Sequence, residues 1–120
     1  MKNICFILMS FTTLLAYGSP EKIQMNDPNH QHDHLEHYVP ADQPDVYYDS
    51  DNQTIIVDGG GEVSCYDVEI MSMTTWITVI TTQVGGTYDT IDVSTLASDD
   101  YLIVITTPND NEYEGEFSVP

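Results

Sequence analysis

A chain of 120 residues with 20 acidic and two basic side chains has a formal charge of −18, and that length holds one domain. Such a surface repels nucleic acid and anionic lipid, and it suits solubility, divalent cations or basic partners. The chain has no arginine.

Lys2, an apolar run from Ile4 to Leu15 and a small-residue end at Ala16-Tyr17-Gly18 form the three regions of a secretory signal. Cleavage is expected after Gly18. The run is too short for a transmembrane helix, which needs about 20 apolar residues, and a lipoprotein signal would place a cysteine where Ser19 stands. Residues 1–18 are therefore expected to be a signal peptide, and the mature chain to be exported without membrane insertion, to the periplasm, the cell surface or the medium. All 20 acidic residues lie beyond Gly18 with Lys22 as the one remaining basic residue, which gives the mature chain a charge of −19. From Ile23 onward no cation is available for a salt bridge, so stability must come from apolar burial and backbone pairing. Cys5 leaves with the signal, and Cys65, left without an intramolecular partner, reads as a small buried hydrophobe within a strand.

Residues 19–44 contain four prolines and little apolar surface, too little to offset the entropy of ordering them, and are expected to be a disordered His/Pro-rich linker. All four histidines lie here, at His30, His32, His34 and His37, interleaved with Asp33 and Glu36. Imidazoles beside carboxylates are borderline ligands for zinc, copper or nickel, so these four are the candidate metal-ligating residues. Their protonation near pH 6 would also place positive charge beside an acidic domain.

Residues 45–120 change texture to short β-branched and aromatic runs separated by turn residues. Seven strands are expected: Asp45–Tyr48 as an edge, Thr54–Val57, Ser64–Met71, Trp76–Thr82, Thr87–Val93, Tyr101–Thr107 and Asn111–Val119. Asp58-Gly59-Gly60-Gly61 ends the second, and Gly85-Gly86 reads as a hairpin turn or bulge. Tyr101–Thr107 is an uninterrupted apolar and β-branched run, which predicts a central strand buried on both faces. In Asn111–Val119, Tyr113, Gly115, Phe117 and Val119 face one way and Glu112, Glu114 and Glu116 the other, an arrangement that protects an edge. Trp76, the single tryptophan, is expected to pack between sheets. With no helical periodicity, the pattern predicts an all-β fold, a seven-stranded antiparallel immunoglobulin-like β-sandwich, with a barrel as the alternative.

The succession Tyr66-Asp67-Val68-Glu69-Ile70, Ile91-Asp92-Val93-Ser94-Thr95-Leu96, Asp100-Tyr101-Leu102-Ile103-Val104-Ile105 and Tyr113-Glu114-Gly115-Glu116-Phe117 resembles a family of small exported immunoglobulin-like domains of unknown function from gut Bacteroidales. It is also similar to the C-terminal sorting domains of secreted Bacteroidetes proteins, although Ser98-Asp99-Asp100 stands where those have a glycine before the tyrosine. The resemblance implies a fold and a compartment and no activity.

The domain has no His, Lys or Arg to act as a base or oxyanion donor, and Gly59-Gly60-Gly61 lacks the lysine and helix of a phosphate loop; an enzyme is not expected. Calcium is a candidate cofactor at the oxygen-rich turns: Asp49, Asp51 and Asn52; Asp58 and Glu62; Asp99 and Asp100; Asn109, Asp110, Asn111 and Glu112. Turns favour these residues for backbone reasons too. The expected function is a non-catalytic binding or adhesion-like module for an unidentified protein or glycan partner. The alternatives are divalent-metal handling by the histidine stretch and acidic turns, and a structural accessory role in an envelope assembly.

Overall fold

A computed structural model of the protein describes residues 20–28 and 39–120. The expected signal peptide and His30, His32, His34 and His37 lie outside the described residues. Eight strands form: β1 (Glu21–Ile23), β2 (Asp45–Asp49), β3 (Thr54–Asp58), β4 (Cys65–Ser72), β5 (Thr78–Gly85), β6 (Tyr88–Asp92), β7 (Asp99–Thr106) and β8 (Glu112–Val119). They build two four-stranded antiparallel sheets, β1-β2-β3-β6 and β5-β4-β7-β8, packed as a sandwich.

The period-2 alternation of each strand decides which side faces in. Along β4, Tyr66, Val68 and Ile70 are fully buried while Asp67 and Glu69 are exposed. Opposite them on the other sheet stand Val46, Tyr48, Ile55, Val57 and Ile91. At one end the core is aromatic: Phe117 packs 5.4 Å from Tyr48 across the sandwich and 5.6 Å from Tyr101 on its own sheet. Tyr101 opens β7 and donates its hydroxyl back to the Ala97 carbonyl at 2.6 Å, the tyrosine corner of immunoglobulin-like folds. Strand β7 is interior, yet only Tyr101, Ile103 and Ile105 are buried; Leu102, Val104 and Thr106 are half-buried on the outer face. The expectation of burial on both faces is corrected accordingly, because no further layer covers that side among the described residues.

The eighth strand comes from the stretch expected as a linker. Glu21–Ile23 pairs with β2, so β2 is an interior strand rather than an edge. Ile23 and Met25 enter the core, and Asn26 exchanges two backbone hydrogen bonds of 2.8 Å with Glu114 on β8. The segment thus steps from the outer edge of one sheet to the outer edge of the other and closes that side of the sandwich. Residues 39–44 are tied down as well: Pro44 is fully buried, Tyr66 donates its hydroxyl to the Asp42 carbonyl at 3.3 Å, and the Asp42 carboxylate accepts from Tyr113 and, at 2.7 Å, from Asn111. Two apolar residues and a proline sufficed, because they land on a surface already built by β8 and β2.

Gly85-Gly86 is not a hairpin. It carries the chain from β5 in one sheet to β6 in the other, and Gly86 lies against the Val63 backbone so closely that a Cβ there would overlap it.

Gly115 marks the latched side. A Cβ at this position would sit 2.7 Å from both Ile23 Cγ2 and Met25 Sδ, so Gly115→Ala is expected to lift the N-terminal segment off β8 and cost about 1–3 kcal/mol by overpacking. Chemical denaturation of the variant beside the parent chain measures this directly; an unchanged midpoint would mean that the segment does not stabilise the domain.

Candidate functional site

The opposite side of the sandwich, bounded by β5 and β6, is built differently. From Ile70 to Tyr88 the sequence has no charged residue, the longest such run among the described residues of a strongly acidic chain. It covers the end of β4, the turn to β5 and the whole of β5. That turn carries Trp76 and Ile77 on its surface, 61% and 63% exposed, followed by Val79 at 45%. The expectation that Trp76 packs between the sheets is therefore corrected. The core already has three aromatic rings at this end, and the backbone turns the indole away from them.

The turn is stiffened from below. Ser72, buried at the end of β4, donates Oγ to Asp99 Oδ2 at 2.6 Å and accepts the amides of Thr74 and Thr75 at 3.1 and 3.2 Å. Thr74 Oγ1 donates to the other Asp99 oxygen at 2.7 Å. The Trp76 amide closes onto the Ser72 carbonyl at 2.8 Å, and the Met73 amide bonds Asp100 O at 2.8 Å. Both oxygens of Asp99 are thus used in fixing the loop. The hydroxyls of Ser72 and Thr74, followed by the Asp100 amide, hold its carboxyl below the ordinary carboxylate range.

Within this turn Trp76 adopts φ 58°, a left-handed conformation that is a true outlier for a bulky side chain and costs about 1–2 kcal/mol. Beyond it a β-bulge interrupts the ladder: Ile70 pairs with Ile80 and Met71 with Thr78, leaving Val79 as the extra residue. Bulges of this kind re-aim side chains. The outcome is an apolar corner of Trp76, Ile77 and Val79, beside Met71 and its cross-strand neighbour Leu102 on the outer face.

The four sheet edges are not alike. Strand β1 has only three residues, β6 carries Asp89 and Asp92, and β8 carries three glutamates and the bridge from Asn26. Strand β5 is eight residues long with neither charge nor proline, so among the described residues the bulge at Val79 is the one usual device that blunts this edge. Only its Gly85 end is capped, the amide donating to Asp89 Oδ2 at 2.9 Å.

The residues expected as calcium ligands separate into two groups at opposite ends of the sandwich. Asp49, Asp51 and Asn52 share the β2–β3 turn, where the Asp49 carboxylate accepts the amides of Asp51 and Asn52 and the Asn52 side chain at 2.7 Å; these bonds, the Asn52 side chain first, lower its pKa. Asp58 accepts from Gly60 N at 3.3 Å. Among the described residues no three His, Cys, Asp or Glu side chains converge as metal ligands. At the far end Asp42 and Glu62 line an open cavity of about 380 Å³ with Asp27, Asn109, Asn111 and Tyr113. Asp27 and Pro40 on its rim flank the segment that carries the histidines. Cys65 is free and only half-buried, its Sγ 3.5 Å from Gln83 Nε2; the expectation of a buried thiol is corrected, because the alternation of β4 buries Tyr66 and leaves Cys65 on the other face.

Two sheets in this order, closed by a tyrosine corner, define an immunoglobulin-like β-sandwich. A solved structure from Bacteroides vulgatus, described as a DUF3244 family protein with an immunoglobulin-like β-sandwich fold, is similar to this chain with a TM-score of 0.64 and 13% identity, covering 83% of this chain and 98% of that one. No protein-family model and no curated protein sequence matches the chain. Among the described residues no helix is long and apolar enough to cross a membrane.

Because the Asp99 carboxyl is depressed in the folded state, the order it gives the loop is present above the unfolded carboxylate value, about 3.9, and is lost as pH falls through the lower folded value. Near-UV circular dichroism of the single tryptophan is expected to keep its signal down to about pH 4 and lose it below. Asp99→Asn is expected to remove that step while the far-UV signal remains; a parent-like step in the variant would separate the loop from Asp99.

Proposed function

We propose that this chain is an exported, non-catalytic immunoglobulin-like binding module whose partner docks at Trp76, Ile77 and Val79 beside β5. The observation that carries the reading is a solvent-facing tryptophan held at a strained φ of 58° by a loop pinned to Asp99. Strain of this kind persists where the surroundings over-determine it, and such sites cluster at ligand contacts. A rigid aromatic in an apolar corner is also the chemistry of an interface hot spot. We place the chain with the small exported Bacteroidales domains of unknown function that it resembles; the fold and the Bacteroides source of the similar structure support this.

Divalent-metal binding by His30, His32, His34 and His37 is a second reading, favoured by one observation. Asp27 and Pro40, which flank residues 29–38 in sequence, line the acidic cavity with Asp42 and Glu62. Zinc raising the thermal midpoint of the full chain, but not of a variant with all four histidines replaced by alanine, would establish it. An equal response in both would discard it.

The binding reading separates function from stability at one residue. Trp76→Gly relieves the backbone strain, because glycine adopts positive φ without steric cost. Its thermal midpoint is expected to match or exceed the parent's, while hits of the parent chain on peptide and glycan arrays disappear. A markedly lower midpoint would return Trp76 to a packing role, and unchanged array hits would move the site elsewhere.

A further inference from the structure

Resting on that reading, we infer that the outer edge of β5, unpaired among the described residues, receives an extended segment of a partner polypeptide as an added strand, and that this segment is basic on the side facing Asp67 and Glu69. The interior of the sandwich is incompletely covered at this edge. Ile80 and Thr82 face inward from β5 yet are only half-buried, whereas Ile70 and Val68, their partners on β4, are fully buried. A strand laid along β5 would cover both with its own inward side chains and would satisfy the backbone groups that alternate residues of β5 direct outward.

The outer face decides the chemistry of that strand. There Thr81 lies opposite Glu69, and Gln83 lies opposite Asp67 and donates to it at 3.2 Å. A lysine on the added strand, about 5 Å beyond β5, reaches across the uncharged Thr81 and Gln83 on its flexible four-carbon stem toward those carboxylates. Beside the strand's end, Trp76, Ile77 and Val79 offer an apolar anchor. A second copy of this chain has the opposite suitability: its β5 brings no cation, and its formal charge of −18 repels the first. Nucleic acid is disfavoured by the same charge.

The test titrates the full chain with three synthetic ten-residue peptides: alternating lysine and valine, the same with glutamate for lysine, and the lysine peptide N-methylated on alternate residues. Amide and indole resonances are followed by NMR. The lysine peptide is expected to shift alternate amides between Ile80 and Val84 together with the Trp76 indole, and to bind at least ten-fold tighter than either of the others. Thr81→Lys, on the exposed face, places a like charge before the peptide's lysines and is expected to weaken it at least five-fold with the remaining amides unmoved. If N-methylation changes nothing while Trp76→Gly abolishes binding, strand addition is refuted and the binding module stands. If no peptide moves β5 or Trp76, both fail. Shifts confined to Glu112, Glu114 and Glu116 would reveal charge adsorption alone and overturn the proposal, as would a concentration-dependent dimer paired through β5.

Discussion

Carboxylates that accept hydrogen bonds from their own chain hold the turns of this sandwich. Lys22, paired with Asp45 at 3.3 Å, makes the single ion pair among the described residues, and both partners are so exposed that it contributes about 0–1 kcal/mol. Among the described residues the other acids have no cation to use. Asp49, Asp58, Asp89, Asp92 and Asp99 instead accept nearby amides or hydroxyls, and no buried side-chain donor or acceptor is left without a partner among the described residues. Negative charge thereby collects at the turns and on outer faces. An uncharged stretch in such a chain is conspicuous, and β5 is that stretch.

The two sides of the sandwich follow from this distribution. On one side β1 and Asn26 lead across to β8, and Gly115 gives them room, so the glutamate-bearing edge is partly covered. On the other side β5 is long, uncharged and unpaired at its outer edge among the described residues. Strong net charge opposes the approach of a second copy of the chain, which disfavours pairing between two exposed β5 edges. The Ser72–Asp99–Thr74 cluster adds order beneath Trp76, so a partner docking there as proposed would meet a formed surface and give up less ordering entropy on binding.

Much of the architecture was legible because alternation is local. The inward sets on β4 and β8 follow directly from Tyr66-Val68-Ile70 and Tyr113-Gly115-Phe117, and the corner before Tyr101 marks the fold. Strand β1 was not legible: Glu-Lys-Ile has no periodicity to read, and its stability comes from pairing with Val46, Tyr47 and Tyr48. Trp76 was misjudged because burial is the common fate of a lone tryptophan, while its φ depends on contacts between Ser72 and Asp99, 27 residues apart. One signal for the site was present in the sequence. The charge-free run from Ile70 to Tyr88 reads as a strand by composition and as an interface only when set against the acids surrounding it.

Amide hydrogen exchange along β5 in the full chain probes the central claim most directly, because an open edge leaves a two-residue signature. Amides that point to β4 should be protected and those that point outward should exchange at nearly the rate of free peptide, alternating from Ile80 to Val84, beyond the bulge. Uniform protection along the strand would contradict the account, since it would mean that the edge is already covered and that a partner must bind elsewhere.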